Sequence, residues 1–177
     1  MNATDIIHNL DEKFGPVLKT RNFTALDPYI VVAPDDWPSV AQYLRDDPRL
    51  HFDILNCITV VDYLEIEPAK VAKAGFEPHL EVVYHLSSFT HRHRFVVKLL
   101  LPRWKEDTGK QELPEVPSVC HIWPAANWHE CEAYDLNGVL FTGHPNLVRI
   151  LMADDWVGYP LRKDYEYPLE YQGIRCR

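Results

Sequence analysis

Two runs in which every second residue is apolar constrain the fold of this chain more than any other feature. The first run has an apolar side chain at every second position from 80 to 86, and the second from 95 to 101. Successive side chains of a strand point to opposite faces, so each run predicts a strand with one apolar face. Because residues 87–92 between them suit a turn, the two runs predict an antiparallel hairpin.

Two helices and a short strand are predicted ahead of this hairpin. Apolar residues recur at helical spacing between 6 and 14, Thr4 is suited to cap the start of that helix, and Gly15-Pro16 stops it. Residues 29–32 are a short β-branched strand. A second helix begins near residues 35–36, whose carboxylates suit the positive end of the helix dipole, and it ends before Pro48. Its apolar face consists of Trp37, Val40, Ala41 and Leu44.

The segments around the hairpin are less regular. Residues 52–64 are largely apolar and predict one long buried strand or two short ones. Residues 65–78 are rich in Glu, Lys, Pro and Ala and predict a surface excursion. Four prolines and a polar stretch between 102 and 124 predict an irregular link that leaves the sheet.

Composition limits the class of protein. The 177 residues fit one domain, or one domain with an appended tail, and the formal net charge of −8 argues against non-specific binding to nucleic acid or to an anionic bilayer. No stretch approaches the roughly 20 apolar residues of a membrane-spanning helix. The acidic N-terminus lacks the apolar region of a secretory signal. The sequence therefore predicts a protein of the cytosolic side, with four free thiols, since no two of its cysteines form a Cys-x-x-Cys pair.

The C-terminal third contains one predicted helix and a tyrosine-rich tail. Pro124 suits the first turn of a helix that runs to about Leu136 and ends at Gly138, a left-handed cap. Residues 159–171 contain four tyrosines but no self-burying pattern, which favours a surface that orders against a partner. The alternative is a tail that folds back on its own domain.

These elements predict an α+β fold, with N-terminal helices, a mainly antiparallel sheet, a helix after residue 123 and an extended partner-binding tail. We divide the chain into an α+β domain, residues 1–122, and a C-terminal part, residues 123–177, that forms one structural unit with the domain.

Three acids in the C-terminal helix are the first candidates for chemistry. At helical spacing Glu132 and Asp135 are neighbours, while Glu130 points elsewhere. Two close carboxylates share a proton or hold a divalent metal in some sites. Ion pairing is the favoured interpretation, and the candidate basic partners are Arg149, Arg162 and Lys163.

Histidines and cysteines give weaker candidates. His91 and His93 would share one face of an extended chain, with His79 and His85 across the hairpin, but flanking arginines oppose a bound cation. The pairs Cys120-His121 and His129/Cys131 raise the question of a thiolate nucleophile, yet neither lies in a nucleophile motif. There is also no glycine-rich phosphate loop and no Gly-x-Ser-x-Gly motif.

An ordered string of residues from 123 to 165 is more specific than any of these patterns. It resembles the signature of the 30 kDa subunit of proton-pumping NADH-quinone oxidoreductase (respiratory complex I). Looser matches reach upstream through Asp36-Trp37, residues 46–50, 61–64 and 82–86, and the lead-in Pro114–Ser118. The signature residues are Trp123, Glu130, Glu132, Asp135, Gly138, Gly143, His144, Pro145, Arg149, Arg162, Lys163 and Tyr165.

Two positions depart from the pattern of that family. Cys131 stands where an arginine is common, and Asn137 stands where an aromatic residue is common. These replacements remove one guanidinium and one ring from the signature helix, which puts the family's ion pairs and partner contacts at those positions in question.

The resemblance implies a non-catalytic subunit without a cofactor of its own. It implies a place in the peripheral arm, on the cytoplasmic side of the bacterial inner membrane, against the large 49 kDa-type subunit and the iron–sulfur subunits. FMN and the iron–sulfur clusters would lie in those partner subunits. The signature residues would then form scaffold and interface, with no catalytic, cofactor-binding or metal-binding residue in this chain.

Two alternatives remain at this point. The same fold occurs in a subunit of related membrane-bound hydrogenases, so the machine could differ. A stand-alone metal-dependent hydrolase would instead use His91, His93 and the carboxylates.

Overall fold

The structure, a computed structural model, describes residues 1–71, 73–105 and 112–176. Its helices are α1 (Ala3–Phe14), α2 (Trp37–Asp46), α3 (Pro68–Val71) and α4 (Ala126–Asn137), and a single 3-10 turn, Pro34–Asp36, precedes α2. Its strands are β1 (Leu18–Asn22), β2 (Tyr29–Val32), β3 (Ile54–Tyr63), β4 (His79–Ser88), β5 (His93–Leu101), β6 (Glu115–Pro117), β7 (Leu140–Thr142), β8 (Glu170–Tyr171) and β9 (Ile174–Arg175).

The main sheet has five strands in the order β1-β2-β5-β4-β3. The β2–β5 pair is parallel, and the other neighbouring pairs are antiparallel. The predicted hairpin is confirmed, with Leu86 opposite Phe95 and Leu80 opposite Leu101. The mainly antiparallel α+β fold predicted from the sequence is therefore confirmed.

One face of this sheet forms the core with the helices. The alternating apolar residues of β4 and β5 belong to the same buried cluster as Ile6, Leu10, Trp37 and Leu44. The indole of Trp37 lies 4.5 Å from the ring of Tyr84 and 6.2 Å from that of Trp123, measured between centroids. Trp37 thus joins α2, the sheet and the segment that leads into α4.

Several local predictions need correction. Asn2, not Thr4, caps α1: its side chain accepts the Asp5 N–H while the Asp5 carboxylate accepts the Asn2 N–H. Residues 52–64 contain one long strand, but alternate side chains of β3 are exposed because the sheet face away from the helices is open. The short strands β1 and β6 were not predicted, and β6 pairs in parallel with β7.

Two predicted segments fall partly outside the described residues. Residue 72 of the predicted surface excursion and residues 106–111 of the predicted irregular link are not described. The described part of the excursion contains the single turn of helix α3.

Candidate functional site

The entry into α4 is fixed to the core by a tryptophan. Trp123 is 2% exposed, and its indole Nε1 donates a 2.7 Å hydrogen bond to the carbonyl of Phe52. A buried indole N–H needs such an acceptor, so ring and hydrogen bond together fix where the chain meets the sheet. The chain just before α4, the helix of the family signature, is therefore held against the sheet.

The end of α4 needs a glycine for two separate reasons. Gly138 has φ 67°, the left-handed conformation that L side chains disfavour, and its N–H bonds the carbonyl of Tyr134. A Cβ at this position would also lie 2.7 Å from the ring of Tyr159. The helix end predicted at Gly138 is thus confirmed, and the ring packed against it comes from the tyrosine-rich segment.

Glu130 is fully buried and holds the residues before α4. Its carboxylate accepts hydrogen bonds from the Ser118 hydroxyl at 2.6 Å, the Val119 N–H at 2.9 Å and the Cys120 thiol at 3.2 Å. Burial raises the pKa of Glu130, and these three hydrogen bonds oppose the shift. No pattern in the sequence indicated the Ser118 and Cys120 contacts, although Ser118 lies in the stretch that matched the family's lead-in.

His144 completes this cluster from the turn after β7. Its Nε2 lies 3.9 Å from a Glu130 oxygen, 3.9 Å from the Cys131 sulfur and 3.1 Å from the carbonyl of Asn127. Its Nδ1 accepts the Asn146 N–H at 3.0 Å, which assigns the ring proton to Nε2. The imidazole therefore fastens the turn to α4.

The same cluster has the donor types of a zinc site. Ligand atoms of Cys120, Glu130 and His144 lie within 4.8 Å of one another. A metal would have to displace the Nε2 proton of His144 that faces Asn127 and deprotonate Cys120, whose thiol pKa is raised to about 12 by burial and by Glu130. The existing hydrogen bonds therefore fit a structural cluster better than a metal centre.

Asp135, also fully buried, organises the segment after His144. One of its oxygens accepts three successive backbone N–H groups, from Ile150 at 3.0 Å, Leu151 at 2.7 Å and Met152 at 2.9 Å. Its other oxygen pairs with Arg149 Nη1 at 2.8 Å. Burial alone would raise the pKa of Asp135, but these donors together lower it below its usual value.

The acids of α4 do not share one environment. Glu132 is exposed whereas Asp135 is fully buried, so the two helical neighbours do not form one buried carboxylate pair. Ion pairing with Arg149 is confirmed for Asp135. The candidate partner Arg162 instead binds backbone carbonyls, and the backbone N–H of Lys163 binds Asp62.

Arg162 lies at the C-terminal end of α4. It is 5% exposed and donates to the carbonyls of Asn137 at 2.5 Å, Gly138 at 3.1 Å and Arg103 at 2.8 Å. Its guanidinium also lies 4.4 Å from the ring centroid of Trp104. Burial, with the nearby Arg103, lowers the pKa of Arg162 to about 10. A cation at this position suits the negative end of the helix dipole.

An ion-pair network that was not predicted fixes the next residues to the sheet. Arg103 pairs with Asp62 at 2.8 Å and with Asp164 at 2.6 Å, and Asp62 also accepts the backbone N–H of Lys163 at 2.9 Å. No sequence signal links these residues, because Arg103 is 41 positions from Asp62 and 61 from Asp164. Residues 159–164 therefore pack on the chain's own domain, as the alternative interpretation of the tail expected.

The other signature residues shape turns. Gly143 has φ 78° with open space around it, and it precedes His144 and the exposed Pro145. The hydroxyl of Tyr165 donates to the carbonyl of Val157 at 3.1 Å. These contacts close loops.

The hairpin histidines do not gather into a metal site. His91 Nε2 lies 2.8 Å from the carbonyl of Pro48, and His93 Nε2 lies 2.7 Å from that of Leu50. His79 stacks on Tyr63 at 4.6 Å. Within the part of the chain that the structure describes, the Cys120 cluster is the sole group with three potential ligands in reach of one another.

Large apolar side chains are exposed on α4 and on the segments that follow it. Trp128, on the first turns of α4, is 66% exposed. The others in this region are Val148, Leu151, Val157, Leu161, Tyr167, Leu169 and Ile174. We call these eight residues the apolar surface. Such a density of exposed apolar side chains is typical of an interaction surface.

Comparison with known families decides the identity of this arrangement. Residues 30–171 match the family described as respiratory-chain NADH dehydrogenase, 30 Kd subunit. The chain belongs to the 30 Kd subunit family. The matched range contains β3, β4, β5, all but the first residue of β2, α4 and the segments fixed by Asp135 and Arg162. It confirms the resemblance found in the sequence.

Curated relatives in the 30 Kd subunit family are named as subunits of NADH-quinone oxidoreductase. The protein from Chlorobium phaeobacteroides is 41% identical over 98% of this chain and 92% of its own length. The protein from Chloroherpeton thalassium is 40% identical over 94% of this chain, which spans 62% of that longer relative. The protein from Roseiflexus sp. strain RS-1 is 46% identical over 76% of this chain and 67% of its own length.

A solved structure extends the similarity to another respiratory complex. A chain of the membrane-bound sulfane sulfur reductase, an archaeal respiratory membrane complex, superposes with a TM-score of 0.67 and 25% sequence identity, covering 92% of this chain and 85% of that one. Members of the 30 Kd subunit family are thus subunits of multi-subunit respiratory complexes. Over residues 1–71, 73–105 and 112–176, no helix is long and apolar enough to cross a bilayer.

Proposed function

We propose that this chain is a non-catalytic peripheral-arm subunit of a proton-translocating NADH-quinone oxidoreductase, with a structural and assembly role. One observation carries the proposal: Glu130 and Asp135, the buried acids of α4, use their oxygens to hold neighbouring segments. Carboxylates bonded in this way have little capacity left for substrate chemistry.

The proposed partners are the quinone-reducing large subunit, of the 49 kDa type, and the iron–sulfur subunits. The apolar surface supports this assignment, because Asp135 binds the backbone of its member Leu151, and the buried Arg162 follows directly after its member Leu161. We also propose a position on the cytoplasmic side of a bacterial inner membrane, where the complex holds the chain; membership of the family supports this. FMN and iron–sulfur clusters would reside in the partner subunits.

The test introduces a charge into the apolar surface. Trp128→Glu should release the chain from detergent-solubilised complex, because a buried interface carboxylate without a partner is strongly unfavourable. Leu26→Glu is the matched control, since Leu26 is 99% exposed in the loop before β2. Native gels stained for NADH dehydrogenase activity report assembly, and equal assembly of the two variants would contradict the proposed surface.

The absence of a cofactor is a separate part of the proposal. The purified chain should show no visible absorbance from flavin or iron–sulfur clusters and no stoichiometric transition metal by elemental analysis. One zinc or iron per chain, lost in Cys120→Ser, would show that the Cys120 cluster is a metal centre.

A second candidate function is the equivalent subunit of a related membrane-bound complex, such as a hydrogenase. The similarity to the sulfane sulfur reductase chain supports this second candidate. The large subunit that copurifies with this chain distinguishes the two, because nickel-binding cysteine pairs in it would indicate a hydrogenase.

A further inference from the structure

The turn between β4 and β5 concentrates unpaired positive charge in an acidic chain. The side chains of Arg92 and Arg94 make no ion pair or hydrogen bond with any residue that the structure describes, whereas the formal net charge of the chain is −8. Arg92 also has φ 53°, a left-handed conformation that is strained for a non-glycine residue. An arginine at a position where glycine would be less strained indicates a use for its side chain.

Two grooves meet at these arginines. One, of about 490 Å³, lies beside Met1–Ala3 and Pro28, and the other, of about 760 Å³, lies beside Ile54 and Phe89. Arg92, His93 and Arg94 line both grooves. Asp27 is the one carboxylate among the described lining residues, and the Phe89 ring is 78% exposed at the rim.

Hydrogen bonds hold the backbone around the grooves in place, and part of the β5 edge there has no neighbouring strand. The Phe89 N–H donates to Asp53 at 2.8 Å and the His91 N–H to Ser88 at 3.1 Å, while the rings of His91 and His93 contact the loop after α2. Pairing with β2 begins at Val96, so the β2 side of residues 93–95 faces the first groove without a neighbouring strand. An extended peptide could therefore lie along this edge.

We propose that this basic hairpin surface, formed by Phe89, Arg92, Arg94 and the adjoining edge of β5, docks an acidic extended segment of another subunit of the complex. Two carboxylates of that segment pair with Arg92 and Arg94, and an apolar side chain packs on Phe89. A protein segment fits better than a lipid headgroup, because the net charge of the chain repels an anionic bilayer and Phe89 is a lone exposed ring. The proposal rests on the proposed function but shares no residue with the apolar surface.

The experiment uses the assembled complex with the photoreactive p-benzoylphenylalanine at position 89. Irradiation should attach a segment of another subunit that contains at least two Asp or Glu residues. Arg92→Glu with Arg94→Glu should reduce the cross-link yield about tenfold. Lys19→Glu with Lys73→Glu, the same charge change at exposed lysines elsewhere, should leave the yield unchanged. Replacing the acids of the captured segment by lysines should restore the yield in the double arginine variant.

The photoreactive residue at Trp128 is the internal control. A cross-link from 128 without one from 89, a lipid adduct at 89, a captured segment lacking acids, or an equal loss in the lysine variant would each overturn the basic-surface proposal alone. Absence of both cross-links would overturn the proposed function, and the basic-surface proposal with it.

Discussion

At the scale of single residues, the two buried acids of α4 show how hydrogen-bond donors act against burial in setting the pKa of a carboxylate. Both are fully buried, yet the pKa of Glu130 is raised and that of Asp135 is lowered. The difference lies in their donors. Asp135 receives three backbone N–H groups and a guanidinium, whereas Glu130 receives a hydroxyl, one backbone N–H and a thiol.

Removal of the Asp135 carboxylate should destabilise the chain strongly. Asp135→Ala leaves Arg149 without its carboxylate partner and three partly buried amides without their acceptor, and we expect a loss of about 3–5 kcal/mol in the free energy of unfolding. Glu132→Ala, at an exposed position of the same helix, should change it by less than about 0.5 kcal/mol. Urea titration of both variants provides the measurement.

The same substitution, tested in membranes, distinguishes a structural role of Asp135 from a catalytic one. Native gels of Asp135→Ala membranes should show loss of the assembled complex, with NADH-quinone activity lost in proportion. A fully assembled complex without turnover would instead assign Asp135 a catalytic role.

Glu130 should make stability fall as pH rises. Its folded pKa is raised above the ordinary value of 4.5, so above about pH 4.5 the unfolded chain has lost a proton that the folded chain still holds. Stability contributed by this group is therefore complete below that pH and is lost as pH rises through the folded pKa. Glu130→Gln cannot titrate and should show a flatter profile in urea unfolding between about pH 5 and pH 8. Parallel profiles would show that Glu130 is charged in the fold throughout.

At the scale of elements, the C-terminus of α4 combines a glycine, an aromatic ring and a guanidinium. Gly138 allows the left-handed turn, Tyr159 covers it, and Arg162 binds the carbonyls of Asn137 and Gly138. The segment after Gly143 therefore depends on where the helix ends, and a shift of that end would displace both the ring and the cation.

Two glycines allow the contributions of strain and contact to be separated. Gly138→Ala adds left-handed strain and a methyl group 2.7 Å from Tyr159, so a loss of about 3 kcal/mol is expected. Gly143 has a similar φ of 78°, but an added Cβ would have no atom within 4 Å. Gly143→Ala should therefore lower the free energy of unfolding by about 1–2 kcal/mol. Thermal unfolding compares them, and equal losses would mean that the Tyr159 contact contributes nothing.

The sequence predicted the elements that have a strong local pattern. The β4–β5 hairpin, β2, α2 and α4 follow from periodicity and from proline and glycine at their ends. β1 was missed because Leu18–Asn22 is a polar edge strand, and β6 because three residues carry no detectable period. The Asp135–Arg149 pair was within reach because the two are close in sequence. The Arg103 network was not, since only the folded sheet brings β3, the end of β5 and residue 164 together.

At the scale of the whole molecule, the tyrosine-rich tail divides into two parts. Residues 159–164 are fixed by Arg162, Asp164 and the Lys163 amide, whereas residues 166–170 are mostly exposed. The first part belongs to the domain by its contacts, and the second contributes mainly exposed surface.

Two truncations test this division. Deletion of residues 166–177 should leave the thermal transition within a few degrees while weakening association with the complex. Deletion of residues 160–177 also removes Arg162 and Asp164, leaves Arg103 and the α4 carbonyls short of partners, and should lower the transition by roughly ten degrees or more. Scanning calorimetry of the isolated chains measures both, and identical transitions would place the whole tail outside the domain.

The three amides bound by Asp135 also set an order of events during synthesis. Residues 150–152 leave the ribosome after all of α4, so in the nascent chain the acid in the last turn of this helix has not yet met their amides. Leu151, a member of the apolar surface, takes its place only when its own amide reaches that acid. Under the proposed function, docking therefore waits until translation has passed residue 152, and a fragment released before that point lacks the surface around Leu151.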